Sequence, residues 1–307
     1  MHSHGHEEHG HGGHHHALPS VVNNAFILGI VLNSAFVLVQ VIMGLLTHSM
    51  ALLADAGHNL GDVASLALSL FAFRLAKAKP SGAFTYGYKK TTILASLTNA
   101  VILLITIGIL AVGSVERLFH PQPVEGGLVA IVAGIGIAVN LGSALLFFRN
   151  KEHDLNTRGA FLHLITDALV SLGVVVAGVV IRYTGWYWLD GATSIIILIV
   201  ILTGTWSLLT ASLRLTLDAV PDTIDLPAIE KLITTTPGVE GMHHLHIWAM
   251  STTQTALTTH LLLTDTLTFD QKMKIVHNIK HQLLHNNIHH ATIELESAKL
   301  PCEEEEC

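Results

Sequence analysis

Charge is scarce in this 307-residue chain. Asp, Glu, Lys and Arg make up 13% of it, about half the share of an ordinary soluble domain, and the mean hydropathy is +0.53. That shortage excludes a conventional soluble enzyme. The basic sign is the rarer one, 16 residues against 23 acidic, for a net charge of −7. With no basic cluster, nucleic acid is excluded as a partner. Cysteine is confined to Cys302 and Cys307 in the terminal PCEEEEC. No disulfide framework is therefore expected, and the tail reads as acidic chain with metal binding by the two thiols as the alternative. The HExxH signature of zinc peptidases does not occur.

Long apolar runs, by contrast, dominate. Uncharged windows extend over Val21 to Ala54, Thr91 to Val115, Gly126 to Phe148 and Gly191 to Leu213, each beyond the roughly 20 residues a spanning helix needs. Two further windows, Met50 to Phe73 and Phe161 to Ile181, are apolar but interrupted by Asp55, His58, Asp62, His163 and Asp167. Six spans result, at 20–46, 50–75, 88–117, 124–149, 158–183 and 188–212. The connections after spans two and four hold eight Lys and Arg, against two in the others. By the excess of positive charge on the cytoplasmic side, both termini face the cytoplasm. The chain is read as a multi-pass protein of the inner membrane.

Its flanks differ in character. Residues 1–19 open with MHSHGHEEHGHGGHHH, eight His among Gly and Glu. This composition cannot build a core and reads as a disordered, metal-collecting arm. Residues 213–297 read as a soluble domain. Its predicted elements are a helix over 225–236, strands over 239–250 and 255–263, a helix over 269–285 and a final strand in ATIELE. The order α-β-β-α-β suits a small ferredoxin-like module. At about 85 residues it would gain from self-association. Residues 298–307 form the acidic tail.

The ionisable residues within spans carry the chemistry. A carboxylate at a helix centre costs about 2.5–3.5 kcal/mol on insertion scales, yet spans two and five accept the same arrangement, His58-x-x-x-Asp62 and His163-x-x-x-Asp167. Residues four apart share one helix face. Two such helices side by side converge two imidazoles and two carboxylates, a tetrahedral set that suits Zn²⁺. Asp55, on the same face as His58, is read first as a helix N-cap, with an orienter of His58 or an entrance ligand as alternatives.

LLADAGHNLGDVASL, TYGY and GAFLHLITDALVSLGV resemble the cation diffusion facilitator family, closest to its bacterial zinc-exporting branch, over residues 20–297. The resemblance implies a homodimer of six-helix protomers with cytoplasmic ferredoxin-like domains, exchanging Zn²⁺ for H⁺. It puts His58, Asp62, His163 and Asp167 at the transport positions, and His243, His260, Glu294 and Glu296 at regulatory metal positions. Lys90 is placed to reach Asp218. Two departures stand out. Residues 73–90 contain no Asp, Glu or His, so no metal is expected in that loop, and Thr91 and Thr92 stand where relatives often have an acid.

Metal binding to neutral His and ionised Asp competes with protons, which supplies the coupling of a proton-driven zinc exporter. Cd²⁺ or Co²⁺ could share the route. A metal-binding membrane sensor without transport is the alternative. A metalloenzyme would need a vacant zinc position, which four protein ligands do not leave.

Overall fold

The computed structural model describes residues 24–148 and 155–297, with side chains over 31–65, 67–145 and 164–297. The His-rich arm and the PCEEEEC tail lie outside the described residues. Six long helices come first: α1 (Asn24–Leu46), α2 (Met50–Ala76), α3 (Thr91–Phe119), α4 (Gly126–Phe148), α5 (Leu155–Thr184) and α6 (Trp188–Thr216). Among the described residues, five are long and apolar enough to cross a bilayer, and α1 is apolar over Val31–Leu46. α6 continues past residue 212, carrying Arg214 beyond the apolar run. Ile109, Val112 and Ile196 point outward, as acyl-chain contact demands.

The helices pack as two tight pairs, α3 with α6 and α4 with α5, and α2 lies against α1, α3, α5 and α6. Small residues permit the close approaches, as membrane helix packing requires. A Cβ on Gly178 of α5 would meet the Gly126 carbonyl oxygen of α4 at 2.7 Å, and one on Gly191 of α6 would meet that of Ser114 on α3 at 2.8 Å. Polar side chains join helices where no water competes. Ser114 and Ser194 hydroxyls lie 2.5 Å apart between α3 and α6, and Asn99 of α3 donates to Ser65 of α2 at 2.5 Å.

The start of α2 corrects one expectation. Ser49, not Asp55, is the N-cap, its hydroxyl accepting from the Leu52 amide. Asp190 of α6 then accepts from the Ser49 hydroxyl at 2.5 Å, the Met50 amide at 2.6 Å and the Ala51 amide at 3.3 Å. A carboxylate is favoured there because the first amides of a helix lack internal partners and carry partial positive charge.

The second domain comprises α7 (Leu226–Thr234), β1 (Val239–Ser251), β2 (Gln254–Leu263), α8 (Phe269–His285) and β3 (Ile288–Glu296). β1 and β2 pair antiparallel, and β2 and β3 pair parallel after the α8 crossover, giving the ferredoxin-like order. β3 begins three residues earlier than ATIELE suggested. Asp225 caps α7, and Thr268 with Gln271 forms a capping box on α8. Ile229 and Ile233 of α7, Ile279 and Leu283 of α8, and Ile247, Leu257 and Leu261 of the sheet form one core.

Several contacts among the described residues tie the domains together. Lys90 reaches Asp218 at 2.7 Å, both half exposed. Tyr86 of TYGY packs edge-on against His290 of β3. The Thr252 amide in the β1–β2 turn donates to the Thr92 hydroxyl at the start of α3, at 3.0 Å. Where an acid was expected in relatives, a hydroxyl here accepts from the backbone of the second domain.

Candidate metal centre

α2 brings His58 and Asp62 to the side of the bundle where α5 presents Asp167. His58 Nε2 lies 3.1 Å from Asp167 Oδ1 and 3.9 Å from Asp62 Oδ2. One ligand atom from each of the three lies within 4.8 Å of the others. The i, i+4 spacing aligns His58 and Asp62 on one face of α2. Asp167 is 3% exposed, against 17% for His58 and 27% for Asp62, so the cluster opens on the Asp62 side. His163 stands one turn before Asp167 in α5, but its side chain lies outside the described residues.

Asp55 sits one turn before His58, inside α2 and fully buried. Its Oδ2 accepts from Gln40 Nε2 of α1 at 2.6 Å and from the Ser171 hydroxyl of α5 at 3.2 Å, while Asn59 donates to Gln40 at 3.1 Å. Asp55 thus joins α1, α2 and α5 immediately beside the cluster. Sequence reasoning missed this role, although a carboxylate in an apolar span was itself the signal that a partner existed.

The second domain holds a separate cluster on its sheet. The register pairs His243 with His260, and His260 with Glu294. Glu296, two residues on, shares the face of Glu294. Its Oε1 lies 2.6 Å from His260 Nδ1, and its Oε2 lies 3.0 Å from His243 Nε2. Glu294 approaches His260 Nε2 at 3.6 Å. All four expected positions therefore lie together on the sheet, and His244, not anticipated, stands with His243 and His260. Partial desolvation works against a charge on Glu296. Hydrogen bonds from His260 and His243, with the attraction of these rings when protonated, outweigh it and hold the Glu296 carboxyl below the usual carboxylate range.

The donor chemistry of both clusters fits a borderline divalent ion. Imidazole nitrogen with carboxylate oxygen suits Zn²⁺, whereas an all-oxygen set would suit Mg²⁺ or Ca²⁺. Comparison with known proteins points the same way. The family model described as "Cation efflux transmembrane domain" matches residues 26–216, and that described as "Cation efflux protein, cytoplasmic domain" matches residues 221–298. The chain is 35% identical to the cadmium, cobalt and zinc/H(+)-K(+) antiporter of Bacillus velezensis, over 89% of this chain and 88% of that one. It is 36% identical to the metal cation efflux system protein CzcD of Cupriavidus metallidurans, over 95% and 92%. It is 34% identical to the zinc transporter ZitB of Escherichia coli, over 89% and 87%.

Proposed function

The chain belongs to the cation efflux family, and on that premise we propose that it exports Zn²⁺, with Cd²⁺ and Co²⁺ as further cargo, in exchange for protons. The observation that carries this reading is the convergence of His58, Asp62 and Asp167 between two otherwise apolar helices. His163 is the fourth ligand of the proposed transport site. The protein sits in the inner membrane with both termini in the cytoplasm, as the Lys and Arg distribution supports. It acts as a homodimer, and the exposed Phe269 and Leu284 of α8 supply apolar surface for a second copy. A second, regulatory ion binds the cytoplasmic domain at the cluster that holds His243, His260, Glu294 and Glu296.

The mechanism follows from the site's place in the bundle. α2 packs broadly on α1, α3 and α6 but only thinly on α5, so the ligands straddle the weakest seam of α2. A small shift of α5 opens or closes the cluster without breaking the α4–α5 pair. Zn²⁺ binds the deprotonated ligands on the cytoplasmic side, and protons displace it on the other. Moving a dication outward against an inside-negative potential costs about 2 × 2.3 kcal/mol per 100 mV, of which one entering proton returns half. Gradients of H⁺ or Zn²⁺ supply the remainder.

Proteoliposomes loaded with a zinc dye and a pH dye test this. Zinc uptake accompanied by counterflow of protons is the expected result, while metal binding without movement of either ion would favour a sensor. His58→Asp makes a further prediction. It replaces a borderline nitrogen by a hard oxygen, so the preference for Zn²⁺ over Mn²⁺ should fall by about tenfold or more. Vesicle uptake of the two ions in competition measures this, and an unchanged ratio with full zinc transport would remove His58 from the site.

A further inference from the structure

Neighbouring residues on a strand face opposite sides of the sheet, so a His-His dipeptide ordinarily offers only one ring to any site. β1 breaks that rule at His243-His244. His243 opposes His260 and His246 opposes Thr258, a step of three residues on β1 against two on β2. One extra residue is therefore accommodated, a β-bulge, which re-aims side chains where it occurs. His244 takes a φ of 51°, in the left-handed region that few residues other than Gly enter. Such a conformation persists only where its surroundings enforce it, and it is common at ligand-binding sites.

The consequence is a triangle of imidazoles. The His244 ring centroid lies 5.0 Å from that of His243 and 5.0 Å from that of His260, which are themselves 5.3 Å apart. One nitrogen from each ring lies within 4.8 Å of the other two. Tetrahedral ligands at zinc distances stand about 3.3 Å apart, so modest rotation of the rings closes them on one ion. Glu296 already touches two of the three.

Glu294 is differently placed. Glu296 faces His260 Nδ1 at 2.6 Å, whereas Glu294 faces Nε2 of the same ring at 3.6 Å and is 68% exposed. The two nitrogens point away from each other, so an ion bound through one does not meet a carboxylate facing the other. A ligating His commonly donates its second ring N–H to a carboxylate, which fixes its tautomer and orientation. Glu294 stands where that carboxylate belongs.

We infer that the cytoplasmic ion is bound by His243, His244, His260 and Glu296, three nitrogens and one oxygen, and that Glu294 is a positioning residue for His260. This deepens the proposed regulatory site and rests on it. The set selects Zn²⁺ or Co²⁺ over Mg²⁺, Ca²⁺ and Mn²⁺.

Full-length dimer in detergent, carrying Asp62→Ala to silence the intramembrane cluster, is titrated with Zn²⁺ and separately with Co²⁺, followed by visible absorption. His244→Asn keeps a residue that tolerates a positive φ. It should weaken the tight zinc site about 100-fold and alter the Co²⁺ bands. Glu294→Gln should weaken binding about tenfold and leave those bands in place. His244→Cys should restore binding and add a sulfur-to-Co²⁺ charge-transfer band, which arises only if position 244 is a ligand. Unchanged zinc affinity and Co²⁺ spectrum in His244→Asn, with both altered in Glu294→Gln, would overturn the assignment while leaving a regulatory site. If His243→Ala and His260→Ala also change nothing, the regulatory site itself is refuted, and the assignment with it.

Discussion

Asp167→Ala is expected to abolish zinc transport. The carboxylate is almost fully buried, and its Oδ1 lies 3.1 Å from His58 Nε2. Removing it takes one anionic donor from a dication in a low-dielectric setting. Loss of a mere outer-shell partner costs about 10- to 100-fold in metal affinity, so loss of a direct ligand should cost about 100-fold or more. Asp62→Ala should act alike, since it shares the face of His58 and borders the open side of the cluster. Everted vesicles measure zinc uptake over a concentration series, with the amount of folded protein checked by size-exclusion chromatography. Uptake above a tenth of the wild-type rate in either variant, with normal folding, would remove that carboxylate from the pathway. Asp55→Asn offers the contrast. It keeps an acceptor for Gln40 and Ser171, so affinity for zinc should change less than in the other two.

The second large effect is expected at Asp190, which has no ligand role. Asp190→Ala strips an acceptor from the Ser49 hydroxyl and from the Met50 and Ala51 amides at once. A buried donor left without a partner costs about 1–3 kcal/mol, and the first amides of α2 also lose a favourable charge at the positive end of the helix. The Ala51 bond is a long one at 3.3 Å, so the sum over the three donors is nearer the lower range, about 3–5 kcal/mol. That corresponds to a fall in Tm on the order of 10 °C. Thermal unfolding in detergent reads it. Asp190→Asn should recover part of the loss, because the amide oxygen still accepts. A shift below about 2 °C in Asp190→Ala would mean that α2 is anchored by its packing on α1 and α3 instead.

Much of this architecture was legible before any coordinates. Hydrophobic runs and their length are local properties, so the helices, the strand order and the α8 boundaries could be read directly from composition and period. The pairing of His58 with Asp62 followed from helical geometry alone, because four residues return the chain to the same face. The Lys90–Asp218 contact was reached by resemblance and is present. The regulatory positions were likewise reached by resemblance, and alternation on β3, which puts Glu294 and Glu296 on one side, agreed with it.

What resisted the sequence depended on which surfaces meet. Asp55 looked like a cap because it lies near the start of an apolar window, but Ser49 is the residue whose backbone is extended and whose hydroxyl meets the Leu52 amide. Asp55 instead serves Gln40 and Ser171, partners 15 and 116 residues away. Asp190 binds the start of a helix about 140 residues earlier, a pairing that only the packing of α6 on α2 creates. His244 was indistinguishable from a surface histidine, since its direction is set by a one-residue slip between β1 and β2. The chain's own pattern determined the spans, the elements of the second domain and the donor types, because each depends on residues within a turn or a strand of one another. Tertiary structure alone decided which carboxylates meet His58, which one braces the helices and which histidine joins its neighbours. Those outcomes depend on register and helix contact, and neither is encoded at short range.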